Sequence, residues 1–353
     1  MKKLFILGAA GAAFVSLSAC GSADNQEEQG SESEEKLEVY TTLFAWEDFT
    51  KQIGGDHVNV ENVVPAGSDA HTYDPTPQTL TNIAEGDVFV MTGNGMEGFA
   101  DEVESTIGDQ DVQIARVAEA AGGEEAHDHE EGESEEEHAE HTEESHSGEE
   151  VHDHEEGESE EEHAEHAEES HSGEEHDHSG TDPHVWIDPV QAKEAAGVIK
   201  DQLIEADPDN EQTYENNYEE LAAELDELDD RFETLVDESS KNQFIVSHAA
   251  YGYWEERYGL EEIAVNGVNA QDEPSTQEIN DIIDKAEQND LNAIMVEENI
   301  PSDTTDVLQE EIGAEVYTLN NLESASEEEI ADGASYVSLM NQNIDNLEKA
   351  LNE

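Results

Sequence analysis

Residues 37–65 read LEVYTTLFAWEDFTKQIGGDHVNVENVVP. Leu37 to Thr42 alternates and is rich in β-branched and aromatic residues, which predicts a strand. Ala45 to Ile53 has helical spacing and ends at Gly54-Gly55. His57 to Val64 alternates again and stops at Pro65. A strand, a helix and a second strand in so short a stretch indicate parallel βαβ construction.

The same alternation continues outward. Thr76 to Ala84 reads as a helix, Asp87 to Met91 as a buried strand and Val112 to Val117 as another strand. Val190 to Ala206 is helical and stops near Pro208. Asn210 to Val236 carries Tyr214, Tyr218, Leu221, Leu225, Leu228, Phe232 and Leu235 at spacings of three and four, one face of a long amphipathic helix. At the helical rise it is about 40 Å long. A second series then follows: strands at Phe244–Ser247, Ile263–Val268, Ala293–Val296 and Glu315–Leu319, with helices at Tyr251–Tyr258, Thr276–Asn289 and Thr304–Ile312. A last helix is predicted from about Glu327 to Leu351. The fold class is therefore α/β: two similar lobes, each a parallel sheet flanked by helices, joined by one long connecting helix. Residues 37–207 form the first lobe, 208–238 the connector and 239–353 the second lobe. Ligands of such folds sit beyond the carboxyl ends of the strands.

Composition narrows the function. The chain has 353 residues with 94 acidic against 12 basic side chains, a net charge of −82. Nucleic acids and anionic membrane surfaces need clustered Lys and Arg, so neither is expected as a partner. An acidic exterior attracts cations. The charge is also uneven, since residues 124–180 hold 27 of the acids, 12 of the 16 histidines and no Lys or Arg. About 260 residues remain once this block and the first 36 residues are set aside, ample for a core.

The first residues give the compartment. Met1-Lys2-Lys3 precedes a short apolar run from Leu4 to Ser16, too short to span a bilayer. It reads as a signal peptide over residues 1–19. Leu17-Ser18-Ala19-Cys20 resembles a bacterial lipobox, in which the cysteine becomes the lipidated first residue. Cys20 is the sole cysteine, so a disulfide framework is excluded. Residues 20–36 read as a flexible, lipid-anchored tether. The expected location is extracytoplasmic, on the outer face of the cell membrane.

The acidic block is a tandem repeat. HDHEEGESEEEHAEHTEESHSGEEV starts at His127, HDHEEGESEEEHAEHAEESHSGEE at His152, and HDHSG at His176. With no apolar face to stack, it reads as a duplicated, disordered loop. Its histidines are His127, His129, His138, His141, His146, His152, His154, His163, His166, His171, His176 and His178. Neutral imidazoles at i, i+2 and i, i+3 suit Zn²⁺, Cu or Ni. Each site should be weak, because a floppy loop must be ordered to coordinate metal. The other reading of the block is a solvated acidic spacer.

Four histidines lie elsewhere. His57 reads as a surface turn residue. His71 follows a strand in a proline-stiffened loop, His184 lies in DPHVWIDP at 182–189, and His248 ends the strand from Phe244. Taken singly, each has a structural reading. Three of them at strand ends or turns of a two-lobe fold, beside a metal-collecting loop, point instead to one metal site.

The segment Val63 to Pro77, the DPHVWIDP motif, and the strand-His-Ala-Ala-Tyr-Gly-Tyr run at 244–253 with Arg257-Tyr258-Gly259 resemble the zinc- and manganese-binding solute-binding lipoproteins of ABC transporters, the ZnuA-like cluster A-I family. The resemblance covers about residues 37–123 and 181–353, and includes a His-rich insert at this place. It implies that His71 and His184 are metal ligands from the first lobe and His248 the third, from the second lobe. The segment Leu319 to Ser324 matches the one that supplies a late carboxylate, which nominates Glu323. Ala70 and Asn321 stand where the family often has proline. In manganese-type relatives the position of His248 is usually a carboxylate, so the resemblance favours zinc.

Gly93-Asn94-Gly95-Met96-Glu97-Gly98 fits a dinucleotide-binding pattern, but on the third strand of an acidic protein it reads as a turn. The chain has no H-E-x-x-H, G-x-S-x-G or P-loop. The expectation is a monomeric, non-enzymatic zinc receptor that delivers Zn²⁺ to an ABC permease and its cytoplasmic ATPase. A manganese receptor of the same fold, a surface adhesin or zinc-storage lipoprotein, and a zinc hydrolase are the alternatives.

Overall fold

The computed structural model describes residues 36–108, 110, 112–121, 182–268, 274–297 and 303–353. The predicted signal peptide, Cys20, most of the tether and the histidine-rich repeat lie outside the described residues. Two parallel four-stranded sheets organise the rest.

The first sheet is built from β1 (Leu37–Thr41), α1 (Phe44–Gly54), β2 (Val58–Asn62), α2 (Pro77–Ala84), β3 (Val88–Met91), α3 (Ala100–Ile107), β4 (Gln113–Arg116) and α4 (Val117–Ala121). Its strand order is β2-β1-β3-β4. After the repeat come α5 (Pro189–Ala206) and α6 (Glu211–Glu238). The second sheet comes from β5 (Gln243–His248), α7 (Gly252–Tyr258), β6 (Glu261–Asn266), α8 (Thr276–Asn289), β7 (Ala293–Val296), α9 (Asp303–Ile312) and β8 (Glu315–Thr318). Its order, β6-β5-β7-β8, repeats the first, with the founding strand second from the edge. The chain ends in α10 (Glu327–Ala331) and α11 (Tyr336–Asn352).

Local chemistry sets the boundaries. Thr76 caps α2 ahead of Pro77, and Asp188 caps α5 ahead of Pro189, which places proline where no amide hydrogen is needed. Ser275 and Glu278 form a reciprocal capping box on α8. The one helix predicted from Glu327 to Leu351 is two. Gly333 sits at φ 80° after α10, and Ser335 starts α11 with its own capping box. A glycine in the left-handed region ends a helix cheaply, and the serine two residues on restarts one. Val117, predicted to end a strand, instead opens α4.

Burial follows strand periodicity. In the second sheet Phe244, Val246 and Met295 enter the main core, whereas Ile245 and Ile294 point to a smaller cluster with Ile282 and Leu308. Successive side chains of a strand face opposite sides, so both faces of this sheet are covered. The main core runs through both halves and contains Trp46, Phe89, Trp186, Phe232, Trp254 and Tyr336. The described residues accordingly form one compact unit. The predicted seam of α6 is buried at Tyr214, Leu221, Leu225, Leu228, Phe232 and Leu235. It packs on α1 and α5 and also on α7 and α11. Phe232 stacks on Tyr258, ring centroids 5.0 Å apart.

The glycine-rich pattern at 93–98 is a turn after β3. Gly93 and Gly95 take φ of 80° and 88°, and Asn94 takes 52°. The buried Glu97 carboxylate accepts from the Thr42 hydroxyl at 2.6 Å and from the Thr92 and Gly93 amides at 2.7 and 3.0 Å. That spends its acceptors on one side-chain hydroxyl and two backbone amides of the protein itself. Among the described residues, no helix is long and apolar enough to cross a membrane.

Candidate metal centre

His71, His184, His248 and Glu323 come together, and His57 does not join them. His57 ends a short 3-10 turn, its ring edge against Tyr214. Each of the four offers one ligand atom, and these atoms lie within 4.8 Å of one another. Strand ends supply the positions. His71 is in the loop after β2, His248 is the last residue of β5, and Glu323 is in the loop after β8. His184 opens the short 3-10 turn that leads into α5.

The Nε2 atoms of His71 and His184 are 3.2 Å apart. Glu323 Oε1 is 3.8 Å from His71 Nε2, 3.5 Å from His184 Nε2 and 3.8 Å from His248 Nε2. A tetrahedral ion with bonds of about 2.05 Å separates its ligand atoms by roughly 3.3 Å. The spacing here is within half an ångström of that for four of the six pairs. His184, His248 and Glu323 are buried, and the His71 side chain is 9 % exposed. His248 Nε2 and Glu323 Oε1 have no hydrogen-bond partner among the described residues. Leaving a buried polar atom unpaired costs about 1–3 kcal/mol, so two such atoms facing each other mark a place built to coordinate something.

Neighbouring groups aim the imidazoles. Asp182 Oδ1 accepts from the His184 amide at 3.0 Å and pairs with its Nδ1 at 2.7 Å. Glu297 Oε2 lies 2.6 Å from His248 Nδ1. A carboxylate behind Nδ1 keeps the proton there and leaves the Nε2 lone pair free for a metal. His71 is held through its backbone, whose amide donates to Asp69 Oδ1 at 2.8 Å.

The loop carrying Glu323 is fixed by Asn321. Its side-chain oxygen accepts from the Glu323 amide at 3.1 Å, and its carbonyl accepts from Trp186 Nε1 at 2.6 Å. Leu322 takes φ 63°, a conformation that costs a non-glycine residue about 1–2 kcal/mol. The first amides of α1, at Phe44 and Ala45, donate to the Glu323 and Leu322 carbonyls. Asn321 thus holds this turn by hydrogen bonding.

Burial lowers the basicity of the His184 imidazole, but the neighbouring Asp182 and Glu323 carboxylates outweigh it and push the pKa up to about 9. His248 is likewise raised, burial being overcome by Glu297. In the more open His71, burial prevails and the pKa falls. Burial would raise the Glu323 carboxyl, yet the three imidazoles hold it below its ordinary value. Sequence reading did not single out Asp182 or Glu297. Asp182 lay inside the quoted DPH motif, and Glu297 follows a predicted strand at its carboxyl end, where site residues gather.

Known proteins resemble this chain in sequence and fold. The family model described as "ZnuA: Zinc-uptake complex component A periplasmic" matches residues 39–350. The high-affinity zinc uptake system protein ZnuA of Bacillus subtilis is 33 % identical over 348 residues, 99 % of this chain and 97 % of that protein. The zinc-binding lipoprotein AdcA of Streptococcus pneumoniae is 29 % identical over 322 residues, 90 % of this chain but 56 % of AdcA. The crystal structure of the Zn(II)-bound ZnuA-like domain of the same AdcA superposes with a TM-score of 0.66 at 25 % identity, covering 90 % of this chain and all of that one. With the match running through both sheets, the chain belongs to the family of zinc-uptake complex component A.

Proposed function

We propose that this protein is an extracytoplasmic zinc receptor that hands Zn²⁺ to an ABC-type importer, with His71, His184, His248 and Glu323 as the ligands. The observation that carries this reading is the convergence of three imidazoles and one carboxylate at near-tetrahedral spacing, two of their atoms being otherwise unpartnered. Neutral nitrogen donors with one oxygen suit Zn²⁺, whereas Mn²⁺ favours more oxygen ligands. Four protein donors fill a tetrahedral shell. A catalytic zinc keeps a position open for water or substrate, so the donor set supports a carrier rather than a hydrolase.

In this reading Cys20 is lipidated and anchors a monomer to the outer face of the membrane. Residues 37–207 and 239–353 act as the two lobes, with 208–238 between them. The twelve histidines of residues 124–180 collect zinc weakly for the tight site. The importer's permease and ATPase are the partners, and release follows from the permease favouring a form with lower zinc affinity.

Competition titration tests the assignment. Purified protein, equilibrated with a zinc chelator and a range of Zn²⁺ or Mn²⁺ concentrations, should keep one Zn²⁺ that excess Mn²⁺ does not displace. Equal or better retention of Mn²⁺ would make this a manganese receptor.

A further inference from the structure

Glu297 stands immediately after β7, 4 % exposed, and no part of the ligand set just described includes it. Three donors from the β5 end converge on it. Its Oε2 accepts from Ser247 Oγ at 2.9 Å and pairs with His248 Nδ1 at 2.6 Å, and its Oε1 accepts from Tyr251 Oη at 2.7 Å. Ser247 and Tyr251 are as buried as the histidine they flank. We propose that Glu297, locked by Ser247 and Tyr251, is the positioning residue that turns His248 Nε2 toward the zinc and sets its donor strength, and so fixes how tightly the second sheet holds the ion.

The argument is geometric. An imidazole at the end of a strand can rotate about its side-chain bonds and can coordinate through either nitrogen. With Nδ1 committed to Glu297, only Nε2 is left, and it faces Glu323 across 3.8 Å. A carboxylate with one donor could itself rotate. This one has a partner on each oxygen, so its plane is fixed and it carries the imidazole plane with it. The negative charge also polarises the Nδ1–H bond and makes Nε2 a stronger donor. The equivalent group behind His184 is Asp182, whose side chain is 30 % exposed. Glu297, with its side chain 2 % exposed, is the more enclosed of the two supports.

The inference rests on the zinc reading, and its test separates the two. Full-length wild-type protein and Glu297→Gln are titrated with Zn²⁺ against a tight chelator, so that only the high-affinity site is read. Gln keeps the size and can still accept from Nδ1, but it has no charge. The zinc dissociation constant should rise about 10- to 100-fold, the usual cost of removing such a support. In zinc-loaded wild type, ¹H–¹⁵N spectra of the ring nitrogens should show His248 protonated at Nδ1 and bound through Nε2, with the Nδ1 proton slowly exchanging. That protection should be lost in Glu297→Gln. Should Glu297→Gln fail to fold, Ser247→Ala combined with Tyr251→Phe frees the carboxylate to rotate and should weaken zinc binding several-fold. If wild type binds no zinc tightly, the zinc reading falls. If wild type binds and the folded variants match it, or if His248 binds through Nδ1, the role given to Glu297 is wrong.

Discussion

His184 is fully buried beside two carboxylates, and its imidazole holds a proton up to about pH 9. Zinc needs the neutral ring, so below that pH binding must expel a proton. Affinity should therefore rise with pH, by up to about tenfold per unit from this group, each unit being about 1.4 kcal/mol. The metal-free fold responds in the opposite sense. The folded-state pKa lies above the ordinary 6.5, so the ion pairs stabilise fully below pH 6.5 and are lost as pH climbs through about 9. Melting curves of the chelated protein should fall across that window, while the extra melting temperature conferred by zinc grows. A zinc increment that shrinks from pH 7 to 9 would contradict this. Of the four proposed ligands, the imidazoles could be picked from the sequence because histidine is scarce outside the repeat. Glu323 could not be picked that way. Among 94 acids one carboxylate has no signature of its own, and only resemblance to a family singled it out.

At the scale of elements, segment 182–188 ties the halves together. Trp186 donates to the Asn321 carbonyl at 2.6 Å and its own carbonyl accepts from Tyr336 at 2.5 Å. Trp254 Nε1 reaches the Ile187 carbonyl at 2.8 Å, and Arg257 Nε pairs with Asp188 at 2.6 Å. The segment that carries His184 is thus bonded directly to the second half of the molecule. Trp186→Phe keeps an aromatic ring but strands the Asn321 carbonyl, two residues before Glu323. It should cost about 1–3 kcal/mol, the price of one unpaired buried group, measured by urea denaturation of the chelated protein. Zinc affinity should fall as well. A variant of unchanged stability and affinity would show that the link to the Glu323 loop carries nothing. Strands and long helices were legible because their period is in the residues: the α6 seam and the buried β3 run read directly. The break between α10 and α11 was not, because the helix-favouring residues on either side mask a glycine whose φ of 80° decides it. Tertiary ties such as Trp186 to Asn321 span 135 positions and have no local pattern.

Over the whole molecule, one core threads both sheets and α6 packs on helices from each half, α1 and α5 of the first and α7 and α11 of the second. Wide hinge opening would have to tear that core, so zinc loss should bring local rather than global rearrangement. The two βα series and the three histidines were already present in the sequence as an alternation interrupted once by the acidic repeat, whereas the matching strand orders were not. The side-chain packing that makes two sheets into one compact unit was not. The central claim is a single ion held by residues 71, 184, 248 and 323. X-ray absorption of a variant lacking residues 124–180, loaded with one equivalent of zinc, measures that sphere without the repeat's histidines. The account predicts three imidazole nitrogens and one oxygen, all at about 2.0–2.2 Å, with one imidazole lost in each of His71→Ala, His184→Ala and His248→Ala. Retention of three imidazoles in any of those variants, or a shell made mostly of oxygen, would contradict it.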